Sequence, residues 1–180
     1  MIGKSLVFRD ASNADAKFIR ELRTDRRKGK FLTATSSELQ QQVEWLKNYS
    51  KQSDQVYFII ENKEGERLGT VRLYDPKGGS FCWGSWILKD GAPKSAAIES
   101  ALMVYAYAID HLGFSQSHFD VRKGNERVWK FHERFGAVRI GETKDDFLYQ
   151  IDLEEIQKSR CRYKRFLPHP LSIEKYHVNS

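Results

Sequence analysis

The stretch Phe119–Ala137, FDVRKGNERVWKFHERFGA, limits the possible folds of this chain more than any other segment. Phe119 and Val121 alternate with polar residues, as on a half-buried β-strand. Gly124-Asn125 breaks the strand and offers Asn125 as a helix N-cap. Val128, Phe131, His132 and Phe135 then recur at helical spacing, and Gly136 supplies the glycine that ends a helix. A new strand opens at Ala137. A strand, a short helix and a second strand in such close succession predict an α/β domain, at the least a simple α/β sandwich.

The rest of the chain extends this pattern. Ser5–Arg9 alternates as an opening strand. Ser12 or Asn13 could cap a helix that carries Phe18, Ile19 and Leu22 on one face. A basic loop, Arg23–Lys30, follows. Ser37 is placed to start a second helix with Leu39, Val43 and Leu46 at helical spacing and Trp45 beside them. Gln55–Glu61 and Arg67–Tyr74 read as a hairpin, and Gly78-Gly79 turns the chain into a third strand, Ser80–Leu88. A small-residue loop, Lys89–Ala97, leads into a long helix expected to reach Leu112. Ala137–Gly141 and Phe147–Leu153 close the series as strands. The predicted order is β-α-α-β-β-β-α-β-α-β-β, and beyond it lies a helix or basic tail containing KSRCRYKRF.

A length of 180 residues suits one domain with a sizeable core, and 40% hydrophobic with 13% aromatic residues excludes a disordered chain. The formal net charge of +6 suits acidic small molecules as well as plain solubility. Cys82 and Cys161 have neither metal-ligand spacing nor a disulfide framework, so no metal is expected. The opening MIGKSLVFRD has no apolar signal region, and Ala101–Ile109 is too short to span a bilayer. These features predict a cytoplasmic protein.

The Asn125 turn and the His132-Glu133-Arg134-Phe135-Gly136 helix end resemble the second half of the acetyl-CoA site in the GNAT superfamily of N-acetyltransferases. The element order over Leu6–Leu153 is similar to that superfamily's as well. The resemblance implies a single-domain GNAT fold over residues 1–153, with a mixed central sheet, splayed middle strands and flanking helices. Residues 154–180 would form a C-terminal helix or basic tail. It also implies acetyl-CoA as co-substrate and transfer of its acetyl group to a primary amine.

Family members hold the CoA pyrophosphate at a strand-to-helix turn, where unpaired N–H groups and the positive end of the helix dipole face an anion. The matching segment here is Ala92-Pro93-Lys94-Ser95-Ala96-Ala97. Ala92 stands where the family carries Gln or Arg, and Ser95 where it carries the first Gly. Read without the resemblance, Pro93 is a helix first-turn residue and Ser95 a cap. Ile87 and Leu88, at the end of the preceding strand, would lend their backbone to the pantetheine arm, and Asn125 would touch the cofactor.

His132 occupies the family's acid position, where an imidazole of ordinary pKa could protonate the leaving thiolate; otherwise it is a packed helix-face residue. Asp120 and Asp75 are candidate bases, and water is the alternative. Trp83, Trp86 and Trp45 could line an acceptor pocket or simply pack against the sheet. Arg26 and Arg27 of the basic loop suit phosphate contacts. The resemblance leaves two acceptors open, a nucleotide-linked amino sugar and a protein N-terminus. A non-catalytic acyl-CoA-binding domain and, from the basic run Lys158–Arg165, a nucleic-acid-binding module are the readings outside that class. No nucleic-acid motif accompanies the run, so neither nucleic acid nor membrane is an expected partner.

Overall fold

The structure is a computed structural model that describes residues 1–27, 29–31 and 38–174. Ser37, expected to open the second helix, and Lys28 of the basic loop lie outside the described residues. The strands are β1 (Leu6–Asp10), β2 (Val56–Asn62), β3 (Arg67–Lys77), β4 (Ser80–Leu88), β5 (Gln116–Arg122), β6 (Val138–Glu142) and β7 (Asp146–Asp152). The α-helices are α1 (Ala16–Thr24), α2 (Leu39–Tyr49), α3 (Ala96–Ala106), α4 (Glu126–Arg134) and α5 (Leu153–Arg162). One mixed sheet runs in the order β1-β2-β3-β4-β5-β7-β6. This is the predicted element order with α5 appended.

Each strand pairs antiparallel with its neighbour except β4 with β5, which run parallel. That parallel pair consists of Ser80↔Gln116 and Phe81↔Ser117 alone. Beyond Phe81 the two strands separate, and this splay is the feature that positions the site. β3 and β4 stay paired as far as Gly69↔Leu88, although bulges shift their register on the way, and Gly69 lets them close up there. A Cβ on Gly69 would sit 2.2 Å from the Ile87 carbonyl oxygen, so no other residue fits without moving the strand.

The two faces of the sheet carry separate cores. On one, α1 and α2 bring Ala16, Ile19, Leu46 and Tyr49 onto Tyr57 and Ile59. On the other, α3 is buried from Glu99 to Ala106 around its whole circumference, between the sheet and the segment after α5 that carries Tyr163, Phe166 and Leu167. A helix apolar on every side is stable only when enclosed in this way. The buried Glu99 carboxylate accepts the Ser5 and Leu6 backbone N–H groups at 2.6 and 3.0 Å and the Ser5 hydroxyl, which ties β1 to the first turn of α3. Truncating Glu99 would orphan those buried donors, at about 1–3 kcal/mol for each.

The long helix stops being regular sooner than its apolar pattern predicts. After Ala106 it widens into a π-turn, Tyr107–His111, in which Tyr107 meets Phe58 edge-on at 5.4 Å. The end of α4 follows expectation, with Gly136 at φ 101° directly after Phe135. Asp152 is the N-cap of α5, its carboxylate accepting the Glu155 N–H at 2.9 Å, and the buried Ser159 hydroxyl donates to the Phe135 carbonyl at 2.6 Å. Two cations of the basic run are engaged locally: Lys158 pairs with Glu154 and Glu155, and Arg160 with Asp110.

Candidate active site

Where β4 and β5 part, a cavity of about 130 Å³ opens through the sheet. Its floor is the separated stretch of β4, Trp83–Trp86, and its far side is Phe119–Arg122 of β5. Alternation along β5 gives the cavity two unlike walls. Phe119 and Val121 are buried on the α4 side, whereas Asp120 and Arg122 turn to the opposite, α1 side.

The α4-side wall is aromatic. His132 is 5% exposed, and its ring lies 4.3 Å from Phe119, 5.1 Å from Trp83 and 6.1 Å from Trp86, centroid to centroid. Its Nδ1 is buried without a hydrogen-bond partner. Burial among apolar rings pushes its pKa down to about 3, because the imidazolium would lose its hydration without gaining a counter-charge. The expectation of an ordinary histidine that donates a proton at neutral pH is therefore corrected: in the unliganded protein His132 is a neutral ring. Trp86 anchors this wall by donating its Nε1–H to the Ser100 hydroxyl at 3.1 Å.

The α1-side wall is polar. Asp120, Arg122, Tyr74 and Arg23 line it. Partial burial raises the Asp120 pKa, nearby Asp146 adds to the rise, and Arg122 and His118 oppose it. Arg122 is held by Asp146 at 3.2 Å. Arg23, at the end of α1, donates to the Ser85 hydroxyl at 3.0 Å. Asp75, the other candidate base, lies outside the cavity lining and pairs with Lys77 at 2.7 Å and His118 at 3.3 Å.

β4 is bulged at the cavity. Thr70 of β3 faces Ile87 and Arg72 faces Gly84, so Val71 alone opposes Ser85 and Trp86. Ser85 takes φ 47°, in the left-handed region that side-chain-bearing residues seldom occupy. Its carbonyl accepts the hydroxyl of the fully buried Thr70 at 2.8 Å.

The loop implicated in donor binding follows β4 directly. Ile87 and Leu88 pair with Thr70 and Gly69 on the β3 side, and β4 has no paired residue on β5 at that level. Ser95 is the N-cap residue of α3, and its side chain makes no capping bond. Pro93 and Lys94 are exposed, Ser95 and Ala97 half-buried, and the Ala96 side chain is fully buried in the core, which leaves only its backbone for a ligand. Small residues at the head of a buried helix, at the open end of the splay, fit a phosphate-bearing donor. Asn125 stands one residue before α4 and lines the cavity, but its side chain does not cap the helix as expected; its backbone carbonyl accepts from Val128 and Trp129 instead.

The structure thus gathers Asp120, Asn125, His132, Trp83 and Trp86 around one cavity. Trp83 serves the core as well, at 4% exposure. Trp45 is not among the lining residues; it stacks on Tyr49 and carries the Arg72 guanidinium over its ring. Arg26 and Arg27 sit on an exposed turn away from the lining, and Arg27 pairs with Asp90 of the donor loop at 2.6 Å. Tyr74, Ser85 and Arg122 also line the cavity and carry no local sequence signal for it, and Arg23, the first residue of the basic run, lines it too. Arg23 stood in the same basic run as Arg26 and Arg27, and no local signal separates them.

The acetyltransferase (GNAT) domain family matches residues 5–138, and the chain belongs to it. FdhC, a nucleotide-linked sugar GNAT, is 37% identical, with 93% of this chain and 97% of that one covered and a TM-score of 0.84. The spermidine N-acetyltransferase of Vibrio cholerae, solved with CoA and spermine, matches over 85% of this chain and 98% of that one with a TM-score of 0.76. At 16% identity that likeness is one of fold. No curated protein matches the chain. The protein is a GNAT acetyltransferase, built on a fold that uses acetyl-CoA. Among the described residues no helix is long and apolar enough to cross a membrane, and no cluster of His, Cys, Asp or Glu could hold a metal ion.

Proposed function

We propose that the protein moves an acetyl group from acetyl-CoA to the amine of a nucleotide-linked amino sugar. The observation that carries this reading is the polar wall of the cavity, which is lined by the carboxylate of Asp120 and by two arginines, Arg23 and Arg122. An acceptor with an amine beside a diphosphate matches that combination: the carboxylate draws the amine and the guanidiniums draw phosphate oxygens. The 37% identity to a nucleotide-linked sugar GNAT supports the same class.

The first-turn N–H groups of α3, with Ser95 and Lys94, hold the donor pyrophosphate, and the backbone of Ile87 and Leu88 holds the arm. Asn125 contacts the donor from the opposite side. As the amine nitrogen bonds to the thioester carbon and the carbon–sulfur bond breaks, Asp120 accepts the amine proton. Its raised pKa makes it a better base than an aspartate of ordinary pKa. His132, as a neutral ring, offers a hydrogen bond to the departing sulfur, and solvent protonates the thiolate. Trp83 and Trp86 exclude water from the acyl side.

Thiol release from acetyl-CoA, measured over nucleoside-diphosphate amino sugars, free amino sugars, polyamines and peptides, tests the proposal. The nucleotide-linked sugar should show the highest kcat/KM, and Arg23→Ala should raise its KM without weakening acetyl-CoA binding. Equal kcat/KM for the free sugar, or preference for a peptide amine, would overturn the acceptor assignment.

A further inference from the structure

We propose that Arg72 is a phosphate-binding residue of the acceptor site, its guanidinium edge taking the nucleoside diphosphate that carries the amino sugar. That the anion belongs to the acceptor rests on the reading above; that Arg72 binds a phosphate does not.

Arg72 sits on β3 between Tyr57 of β2 and Gly84 of β4. Its guanidinium carbon lies 5.0 Å from the centre of the Trp45 ring of α2 and 4.7 Å from that of Tyr74. Its Nε–H donates to the Gln55 side-chain oxygen at 2.5 Å, a neutral acceptor. The two terminal nitrogens have no hydrogen-bond partner among the described residues, and no carboxylate there pairs with the group. Arg9 and Arg160 are partly shielded too, and each has a carboxylate, Asp15 at 2.8 Å and Asp110 at 2.5 Å. Arg72 is therefore a half-buried cation held in place by rings and an amide, with its charge unanswered. Burial pulls its pKa below that of an ordinary arginine, Tyr74 and Tyr57 oppose this, and the charge of Arg23 adds to it. An incoming anion relieves both the lost hydration and the repulsion between like charges.

The surroundings assign this anion to the acceptor. Tyr74 lines the cavity together with Asp120 and Arg23, and Arg72 lies against the Tyr74 ring, so one aromatic ring separates the cation from the cavity. In an amino sugar attached through its anomeric phosphate, one sugar ring separates the amine from that phosphate. The donor loop follows Leu88, which faces Gly69, three residues and so about 10 Å along β3 from Arg72. With Nε committed to Gln55, the pair of terminal nitrogens presents the two-pronged edge that matches a phosphate.

The test compares wild type with Arg72→Met and Arg72→Lys. Calorimetry on protein saturated with CoA, so that the donor site is filled, reads the binding of inorganic pyrophosphate, UDP and dTDP without any acceptor amine. Wild type should bind pyrophosphate and a nucleoside diphosphate, and Arg72→Met should weaken both roughly 10- to 100-fold while its affinity for CoA is kept. In turnover, Arg72→Met should raise the KM for the nucleotide-linked sugar by the same factor and leave the kcat/KM of the free amino sugar unchanged. Arg72→Lys should fall between, because an ammonium keeps the charge and loses the two-pronged edge. Equal pyrophosphate binding in wild type and Arg72→Met overturns the proposal. Equal losses on the free and the linked sugar also overturn it, and make Arg72 a brace between α2 and the sheet. If Arg72→Met does not fold, the wild-type protein decides: the Arg72 Nε–H resonance should shift saturably as pyrophosphate is added, and an unmoved resonance excludes the contact. Preference for a peptide or polyamine acceptor would sink the nucleotide-sugar reading, while the pyrophosphate titrations would still decide whether Arg72 binds a phosphate.

Discussion

The two walls of the gap come from the same two strands, yet they could hardly differ more in chemistry. Toward α4 the gap is closed by Trp83, Trp86, Phe119 and His132, where burial keeps a histidine uncharged. Toward α1 it is closed by Tyr74, Asp120, Arg122 and Arg23, where partial burial makes a carboxylate hold its proton more tightly. The cause is the two-residue period of β5, which sends Phe119 and Val121 to one face and Asp120 and Arg122 to the other. In an ordinary sheet those faces never meet. Here the splay beyond Phe81 opens one cavity that is lined from both faces, aromatic on one side and polar on the other.

The division of labour breaks most visibly at Asp120. Asp120→Asn should lower kcat/KM by roughly 10²- to 10⁴-fold, as expected for loss of a general base. The sign of the pH dependence follows from the raised pKa. The base acts only when deprotonated, so activity should rise with pH through a value above that of an ordinary aspartate, and Asp120→Asn should abolish this acid limb. A pH–rate profile with the limb intact in the variant would assign the proton to water.

The donor end offers the next largest effect. Ser95→Glu places a negative charge at the head of α3, where phosphates would sit, and should weaken acetyl-CoA binding by roughly 10-fold or more in calorimetry. The acceptor-side residues should be unaffected. Unchanged affinity in a folded variant would move the donor site elsewhere.

His132 sharpens the comparison through stability. Its folded-state pKa of about 3 lies below the unfolded value near 6.5. The neutral ring therefore costs nothing above about pH 6.5, and the folded state loses stability progressively as pH falls from there toward 3. Wild type should lose on the order of a few kcal/mol over that window that His132→Phe keeps, measured as a lower acid-unfolding midpoint for the variant. A coincident midpoint would mean that His132 is hydrated and that the α4-side wall is not dry.

The smallest effect belongs to the surface. Arg27 and Asp90 form a well-exposed pair, 78% and 67% accessible at their side chains. Arg27→Ala should change the acceptor KM by less than about 2-fold, far less than Arg23→Ala, and salt should erase the difference. A larger effect of Arg27 would restore the exposed loop as the phosphate contact.

The parts of this molecule that were legible in its sequence are those specified by neighbours along the chain. The turn at Gly124-Asn125, the helix face of Val128, Phe131 and His132, and the stop at Gly136 all follow from local backbone preference and periodicity. The π-turn after Ala106 left no such mark, because Tyr107–Ile109 reads as helix until Phe58 is packed against it. Arg23 was indistinguishable from Arg26 and Arg27, since all three share one basic run and only the packing of α1 turns the first toward the cavity.

Local order, then, determined the strand and helix series and the glycine stop at Gly136, and it placed Asp120, Asn125 and His132 in one continuous segment. Only the tertiary structure decided that His132 is neutral, because a pKa depends on the rings around it and not on its neighbours in the chain. The pairing of Thr70 with Ser85 was decided in the same way. A bulge is a mismatch in count between two strands, so its position and the hydroxyl that holds it exist only once β3 and β4 are laid side by side.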